Sequence, residues 1–320
     1  MQYVNLGRAG VKVSRYCLGT MMFGSWGIDE KESVKVIHRA LDAGINFYDM
    51  ADIYGGGTSE EIVGRALQHK RDEVILATKF KIRTEEGPNG EGASRYRIMR
   101  QVEESLKRLG TDYIDLYQIH RPDPTTPLDE TMRALDDLVR QGKVRYIGCS
   151  NFDAWRIVES LWISDKMNLE RFVTNQPSYS LLDRHIEQEI RPVSERYGLA
   201  TLCYSPLGGG WLTGKYNNVA AMPEGSRGEQ HGWDFTTPEN QDKLRKVERL
   251  TAMAERKEIT LAQLALAWLL HQGDSVIPII GAKSVEQLNA NLSAFDVQLS
   301  ADELAEIENI VPSPYFDFSK

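Results

Sequence analysis

Residues 95–120 read RYRIMRQVEESLKRLGTDYIDLYQIH. In Arg95–Leu109, Ile98, Val102, Leu106 and Leu109 fall at i, i+4, i+8 and i+11, the apolar stripe of an amphipathic helix. Tyr113–His120 follows as a short apolar run of strand length. A helix feeding a short buried strand is the unit of a parallel sheet. The same alternation extends in both directions. Strands are predicted at Cys17–Thr20, Asn46–Asp49, Val74–Lys79, Tyr113–His120, Val144–Ser150, Phe172–Gln176, Ala200–Ser205 and Val276–Ile280, eight in all. Helical patterns lie between them. Glu30–Ala43 carries Val34, Ile37 and Leu41, and Thr58 with Glu61 reads as a capping box. Gly44 and Gly142 read as stops after helices. Further helices are expected at Asp153–Ile163, His185–Tyr197 and Leu261–Leu270. Eight strand–helix units predict an α/β fold, a (β/α)8 TIM barrel, with residues 1–320 forming a single barrel domain.

Two additions flank the barrel. Gln2–Leu6 and Val11–Arg15 read as a β-hairpin placed to plug its bottom, and Ser300 with Glu303 caps an extra C-terminal helix to about Ile310. Gly87–Ser94 and the Gly-rich Pro206–Thr237 exceed ordinary loop length. The second follows the seventh strand, which places it on the C-terminal, active face of a barrel, and its Lys215 and Arg227 suggest a clamp on an anion.

Composition narrows the class. The net charge of −8 disfavours nucleic acid and anionic membrane as main partners. No run of 18 apolar residues exists, and Met1–Gly10 lacks a signal-peptide core, so a cytoplasmic protein is expected. Cys17, Cys149 and Cys203 have no CxxC spacing and sit in apolar runs, as buried thiols of a reducing compartment do. The 6 histidines are scattered without ligand spacing, so no metal is expected. The oligomeric state is not written in the sequence.

Four polar residues stand at or just past predicted strand ends. They are Asp49, Tyr54 five residues on, Lys79 and His120. Strand ends converge at the top of a barrel, where catalysis sits. A phenol titrates near about 10 when unperturbed. A neighbouring ammonium lowers that value, a carboxylate orients the ammonium, and a histidine orients a carbonyl. Each residue alone has an ordinary reading: a helix cap, packing, or a satisfied structural group. Lys79 alone also suits a Schiff-base aldolase.

At this point the chain resembles the aldo-keto reductase superfamily over essentially its whole length. The matching pieces include Leu18-Gly19-Thr20, Gly44-Ile45-Asn46-Phe47-Tyr48-Asp49, Tyr54-Gly55, Ala77-Thr78-Lys79 and Ile114-Asp115-Leu116-Tyr117-Gln118-Ile119-His120. Gly142–Gly148 with Ser150-Asn151-Phe152, Asn175-Gln176, Ser205–Gly210 and Gly281-Ala282-Lys283 complete the set. The resemblance implies NADPH-dependent reduction of small aldehydes or ketones, with Tyr54 as general acid, Lys79 and Asp49 tuning it, and His120 orienting the carbonyl. NADH is the less favoured cofactor. Potassium-channel beta subunits are similar in sequence too, which keeps open an NADPH-binding partner role.

The resemblance also implies a cofactor path. Ser150, Asn151 and Gln176 would hold the carboxamide, and Tyr204 would stack on the nicotinamide. Ser205, Leu207 and Gly208 would meet the pyrophosphate through backbone N–H groups, with Lys215 and Arg227 adding charge. Gly281 and Lys283 would take the 2′-phosphate at a helix start where Ser284 and Gln287 read as a capping box, with Gln287 and Asn291 on the adenosine. Channel-type members carry an acidic residue where Ala290 stands, so one adenine contact departs from the pattern. Phe23, Trp26, Phe80, Arg121 and Trp233 are the expected substrate-side residues, with Trp211 and the tail aromatics Tyr315, Phe316 and Phe318 as further candidates.

Overall fold

Strands β1 (Tyr3–Asn5) and β2 (Lys12–Ser14) pair antiparallel, with Val4 opposite Val13. This hairpin closes the floor of a barrel. The computed structural model describes residues 1–216 and 222–314. Eight parallel strands form the wall: β3 (Cys17–Gly19), β4 (Phe47–Asp49), β5 (Ile75–Phe80), β6 (Ile114–Ile119), β7 (Val144–Ser150), β8 (Thr174–Gln176), β9 (Ala200–Cys203) and β10 (Val276–Gly281). β10 closes onto β3, with Ile279 opposite Cys17. The expected barrel, its hairpin and the final helix are all present.

Side-chain alternation along the strands decides what fills the barrel. At the floor, Leu6 and Val13 of the hairpin pack with Phe47, Ala77, Leu116, Val173, Leu202 and Ile277. Two residues further up three neighbouring strands, the inward positions become Asp49, Lys79 and Gln118. The interior therefore turns from apolar to polar in one step, and the polar layer is the top face.

The outer ring contains α1 (Glu30–Asp42), α2 (Thr58–Leu67), α3 (Arg95–Leu109), α4 (Leu128–Arg140), α5 (Ala154–Met167) and α6 (Ile190–Tyr197). It continues with α7 (Arg227–Gln230), α8 (Pro238–Arg256), α9 (Leu261–Leu270), α10 (Val285–Leu292) and α11 (Ala301–Ile310). α3 follows its sequence pattern closely. Ser94 caps it by accepting from Arg97 N, Gly110 ends it at φ 64°, and all four residues of the apolar stripe are buried. Each such burial contributes about 1.5–3 kcal/mol. The Ser300–Glu303 capping box of α11 also forms.

Several local expectations are corrected. Thr58 does not cap α2: its hydroxyl donates to Gly55 O at 2.7 Å, and Gly57, at φ 97°, is the N-cap instead. His185–Tyr197 is not one helix but a short turn, His185–Glu187, followed by α6. Pro192 explains the break, because it has no N–H to continue a helix back to residue 188. Ser284 caps Gln287 N as expected, but the Gln287 side chain accepts from Lys283 N at 2.8 Å rather than from Ser284. The described parts of 206–237 are not structureless. They contain the turn Gly208–Thr213 and α7, tied together by Trp211, Tyr216, Trp233 and Phe235, with Trp211 and Trp233 stacked at 5.4 Å. Tyr315, Phe316 and Phe318 lie outside the described residues.

Candidate active site

The polar layer is organised around the Lys79 ammonium. Its Nζ donates to Asp49 Oδ2 at 2.6 Å, to Met50 O at 2.7 Å and to Tyr54 Oη at 3.3 Å. Those three bonds use all three of its protons. Burial, the largest influence, pulls the ammonium's pKa down, but Asp49 and Tyr54 outweigh it and the net shift is upward. A Schiff-base lysine needs a neutral, accessible amine. Lys79 is 0 % exposed, ion-paired and held cationic, which argues against the aldolase alternative.

Tyr54 stands above this pair, with its ring 4.9 Å from Lys79 Nζ. Its phenol departs from the expectation of a lowered pKa. Burial pushes it up by more than Lys79 pulls it down, so the net shift is upward. The phenol is thus neutral at physiological pH and holds a proton to give. His120 follows β6 and lies edge-on to Tyr54, ring centroids 5.9 Å apart at 82°. Burial first, then Lys79 and Arg121, depresses its pKa to about 2. It is a neutral imidazole, able to orient a carbonyl without competing as an acid. The four residues expected from the sequence to converge thus meet in one place.

Asp49 has further support that the sequence reading missed. Gln176 Nε2 donates to Asp49 Oδ1 at 2.8 Å, and Gln118 Nε2 approaches the same oxygen at 3.4 Å. Thr174 Oγ1 in turn donates to Gln118 Oε1 at 3.2 Å. Strand parity was the available signal, because Gln118 is inward two residues above Leu116.

The residues expected to hold a cofactor line the next strand ends. Ser150 Oγ donates to Gln176 O at 2.7 Å, Asn151 Nδ2 donates to His120 O at 3.1 Å, and Tyr204 Oη donates to Asn151 Oδ1 at 2.9 Å. Asn151 and Ser205 both sit at positive φ, 57° and 53°, a strain that clusters at functional sites. The fit to a nicotinamide is sound: a half-buried aromatic ring lies beside a polar edge on which the Gln176 Oε1 is left to accept.

The phosphate end needs correction at one point. The Gly208 N–H is committed to Ser205 O at 2.8 Å, so it does not point at a ligand. Asn291 is buried, and its Nδ2 donates to Gly281 O at 3.1 Å and so shapes the Gly281 turn. The cations stand better. The Lys215 side chain lies over Gly210, where a Cβ would meet its Nζ at 2.7 Å. Arg227 lies by Gly209 and its charge reaches Tyr54. Ser205, Leu207 and Gly208 open the turn that both cations overhang, and Lys283 is exposed at the start of α10.

The expected substrate residues divide. Trp26 is 46 % exposed, 6.1 Å from the Tyr54 ring, and Arg121 is exposed beside His120. Phe80 is fully buried and stacks on Tyr117 at 4.7 Å, within the layer between barrel and helices. It follows inward Lys79, so alternation turns it outward. Phe23 is likewise buried in that core. Trp233 packs on Trp211 and Tyr216 within the 206–237 segment.

This geometry agrees with comparisons to known proteins. The model of the aldo/keto reductase family matches residues 15–312. The chain belongs to the aldo/keto reductase family. It is 39% identical to the uncharacterised oxidoreductase YrpG of Bacillus subtilis, over 98% of this chain and 97% of that one. The aldo-keto reductase YhdN of the same organism is 38% identical over 99% of this chain and 96% of its own. A probable voltage-gated potassium channel subunit beta of Arabidopsis thaliana is 36% identical over 98% of this chain and 97% of its own. Aldo/keto reductases are oxidoreductases that generally use NAD(P)H and act on small carbonyl compounds. Among the described residues of this aldo/keto reductase, no helix is long and apolar enough to cross a membrane. Its three cysteines are buried and free.

Proposed function

We propose that the protein reduces aldehydes or ketones to alcohols in the cytoplasm, with NADPH as reductant and Tyr54 as general acid. The observation that carries this is the bonded series Asp49–Lys79–Tyr54, at 2.6 and 3.3 Å, with neutral His120 against the Tyr54 ring. A bound reduced nicotinamide supplies the hydride. The chain's own residues do the rest. His120 orients the carbonyl. Tyr54 gives its proton to the carbonyl oxygen as negative charge develops there, and Lys79 stabilises the phenolate left behind. Asp49 holds Lys79 in place and charged. Trp26 and Arg121 stand at the mouth to contact the substrate. Ser150, Asn151, Gln176 and Tyr204 would hold the nicotinamide, and Lys215 and Arg227 the pyrophosphate. Lys283, at the N-terminus of α10, supports NADPH over NADH, because a helix start with a lysine suits a phosphate.

The test is loss of nicotinamide absorbance with a panel of aldehydes, ketones and sugars, using NADPH and NADH in parallel. Turnover with NADPH is the expected result. A second reading, a cofactor-binding partner subunit, draws on the relatives named as channel beta subunits. Cofactor binding without turnover on any carbonyl would favour that reading.

A further inference from the structure

Eight large apolar side chains are exposed among the described residues, and three of them stand on one helix. Trp155 and Trp162 of α5 are each 58 % exposed, and Val158 between them is 36 % exposed. They fall at i, i+3 and i+7, so they form one stripe along two turns. The opposite face of α5 is apolar too, with Ile157, Leu161 and Ile163 buried against the barrel. The neighbouring α4 behaves differently: its exposed residues are Asp129, Arg133 and Arg140. A surface helix ordinarily turns one apolar face inward and a polar face to water. In α5 both faces are apolar, and only the inner one is covered among the described residues.

Charge limits what fits the outer face. Arg156 stacks over Trp155 at 4.6 Å and Lys166 over Trp162 at 4.7 Å, so cations rim the stripe. Glu159 and Asp165 are exposed beside them. Two bases against two acids give no net attraction to an anionic membrane or to nucleic acid. A balanced set suits a partner with the same balance, and the simplest such partner is the same helix reversed.

The reversed helix matches in detail. With a two-fold axis between Val158 and Glu159, each Trp155 lies opposite Trp162 of a second copy. The same operation sets each Glu159 about 3 Å along the helix axis from Arg156 of the second copy, at 1.5 Å per residue. One two-fold thus satisfies the aromatic stripe and its charges together, as an isologous contact requires.

The area is adequate. A tryptophan offers up to about 250 Å², so the three side chains expose on the order of 300 Å². Two copies bring roughly 600 Å² of apolar surface together. That is about the apolar half of a small specific interface of about 1,200 Å².

We infer that the Trp155–Trp162 face of α5 is a self-association surface, on which a second copy of this chain docks antiparallel about a two-fold axis between Val158 and Glu159. The tetrad and the residues proposed to hold the cofactor take no part in it, so the inference stands apart from the reaction.

Sedimentation velocity of the full chain from about 1 to about 100 μM tests it. The expected result is a monomer that becomes a dimer across that range, as a small interface predicts. Trp162→Glu should weaken the dimer at least about thirtyfold, as loss of a central tryptophan does, with the circular dichroism of the monomer unchanged. Glu159→Arg and Arg156→Glu should each weaken it, and the two together in one chain should restore it. A wild-type protein that is monomeric at every concentration overturns the inference. So does a dimer indifferent to Trp162→Glu, or a charge-swapped double variant no tighter than either single one. A monomer that instead co-sediments with vesicles of anionic phospholipid overturns it in favour of a membrane.

Discussion

Gln176 Nε2 donates to Asp49 Oδ1 at 2.8 Å, linking the last residue of β8 to the last residue of β4 across the mouth of the barrel. The other Asp49 oxygen takes Lys79. A side chain expected to serve only the cofactor is thus also a strut of the Asp49–Lys79 pair. If Gln176 also holds the nicotinamide, as proposed, cofactor binding and the orientation of Lys79 share one amide.

Gln176→Ala should therefore impair both functions. Asp49 Oδ1 would keep only Gln118, at 3.4 Å. A hydrogen bond to a charged group contributes about 1.5–3 kcal/mol, so kcat should fall about tenfold or more, with weaker cofactor binding. Rapid-mixing kinetics and a fluorescence titration separate the two effects. Unchanged kcat beside weakened cofactor binding would show that the strut does not matter.

Tyr54→Phe removes one hydroxyl that accepts a single 3.3 Å bond from Lys79. Folding and cofactor affinity should survive. Carbonyl turnover should drop at least about a hundredfold, the usual contribution of a general acid. Turnover near the wild-type rate in this variant would mean that the proton comes from elsewhere.

The pH dependence follows from two shifts. Tyr54 lies above its ordinary value and must be protonated to act, so carbonyl reduction should hold steady through neutral pH and fall on the alkaline side. His120, pulled down to about 2 by burial and then by Lys79 and Arg121, should contribute no acid limb. An acid limb near the ordinary histidine value, about 6.5, would show that His120 titrates in the working enzyme. Stability has its own sign. Between about 6.5 and about 2 the unfolded chain binds a proton at this histidine that the folded chain refuses. Stability is therefore lost as pH falls through that window, and His120→Asn should flatten the slope of denaturation midpoint against pH.

The tetrad was legible because four chemically distinct side chains stood at strand ends whose convergence the fold guarantees. What supports it was less so. Gln118 and Thr174 are ordinary polar residues in apolar runs, and only the inward parity of their strands marks them. The same parity, left unused, would have turned Phe80 away from the pocket. Helix α8 escaped notice because only Val247, Leu250, Met253 and Ala254 of its 19 residues are buried, too sparse a stripe among charged neighbours. The direction of the Tyr54 shift depends on how deeply the phenol is desolvated, and residue types alone do not carry that. The commitments of the Gly208 N–H and the Asn291 amide likewise depend on turn geometry.

Cofactor choice is the last test. Lys283 is exposed immediately before Ser284, the N-cap of α10, and its N–H is tied to Gln287 Oε1 at 2.8 Å. That bond fixes the backbone and leaves the ammonium free to reach a 2′-phosphate. A charge-assisted hydrogen bond contributes about 1.5–3 kcal/mol, and solvent exposure favours the lower end. Lys283→Ala should therefore weaken NADPH about tenfold and leave NADH nearly unchanged. Turnover at saturating NADPH should barely move, because the lysine would grip the end of the cofactor remote from the hydride. Titrating both cofactors into both proteins decides the matter. Equal losses for NADPH and NADH would remove Lys283 as the phosphate reader and leave any preference to Arg227 and Lys215, over the Gly208–Gly210 turn.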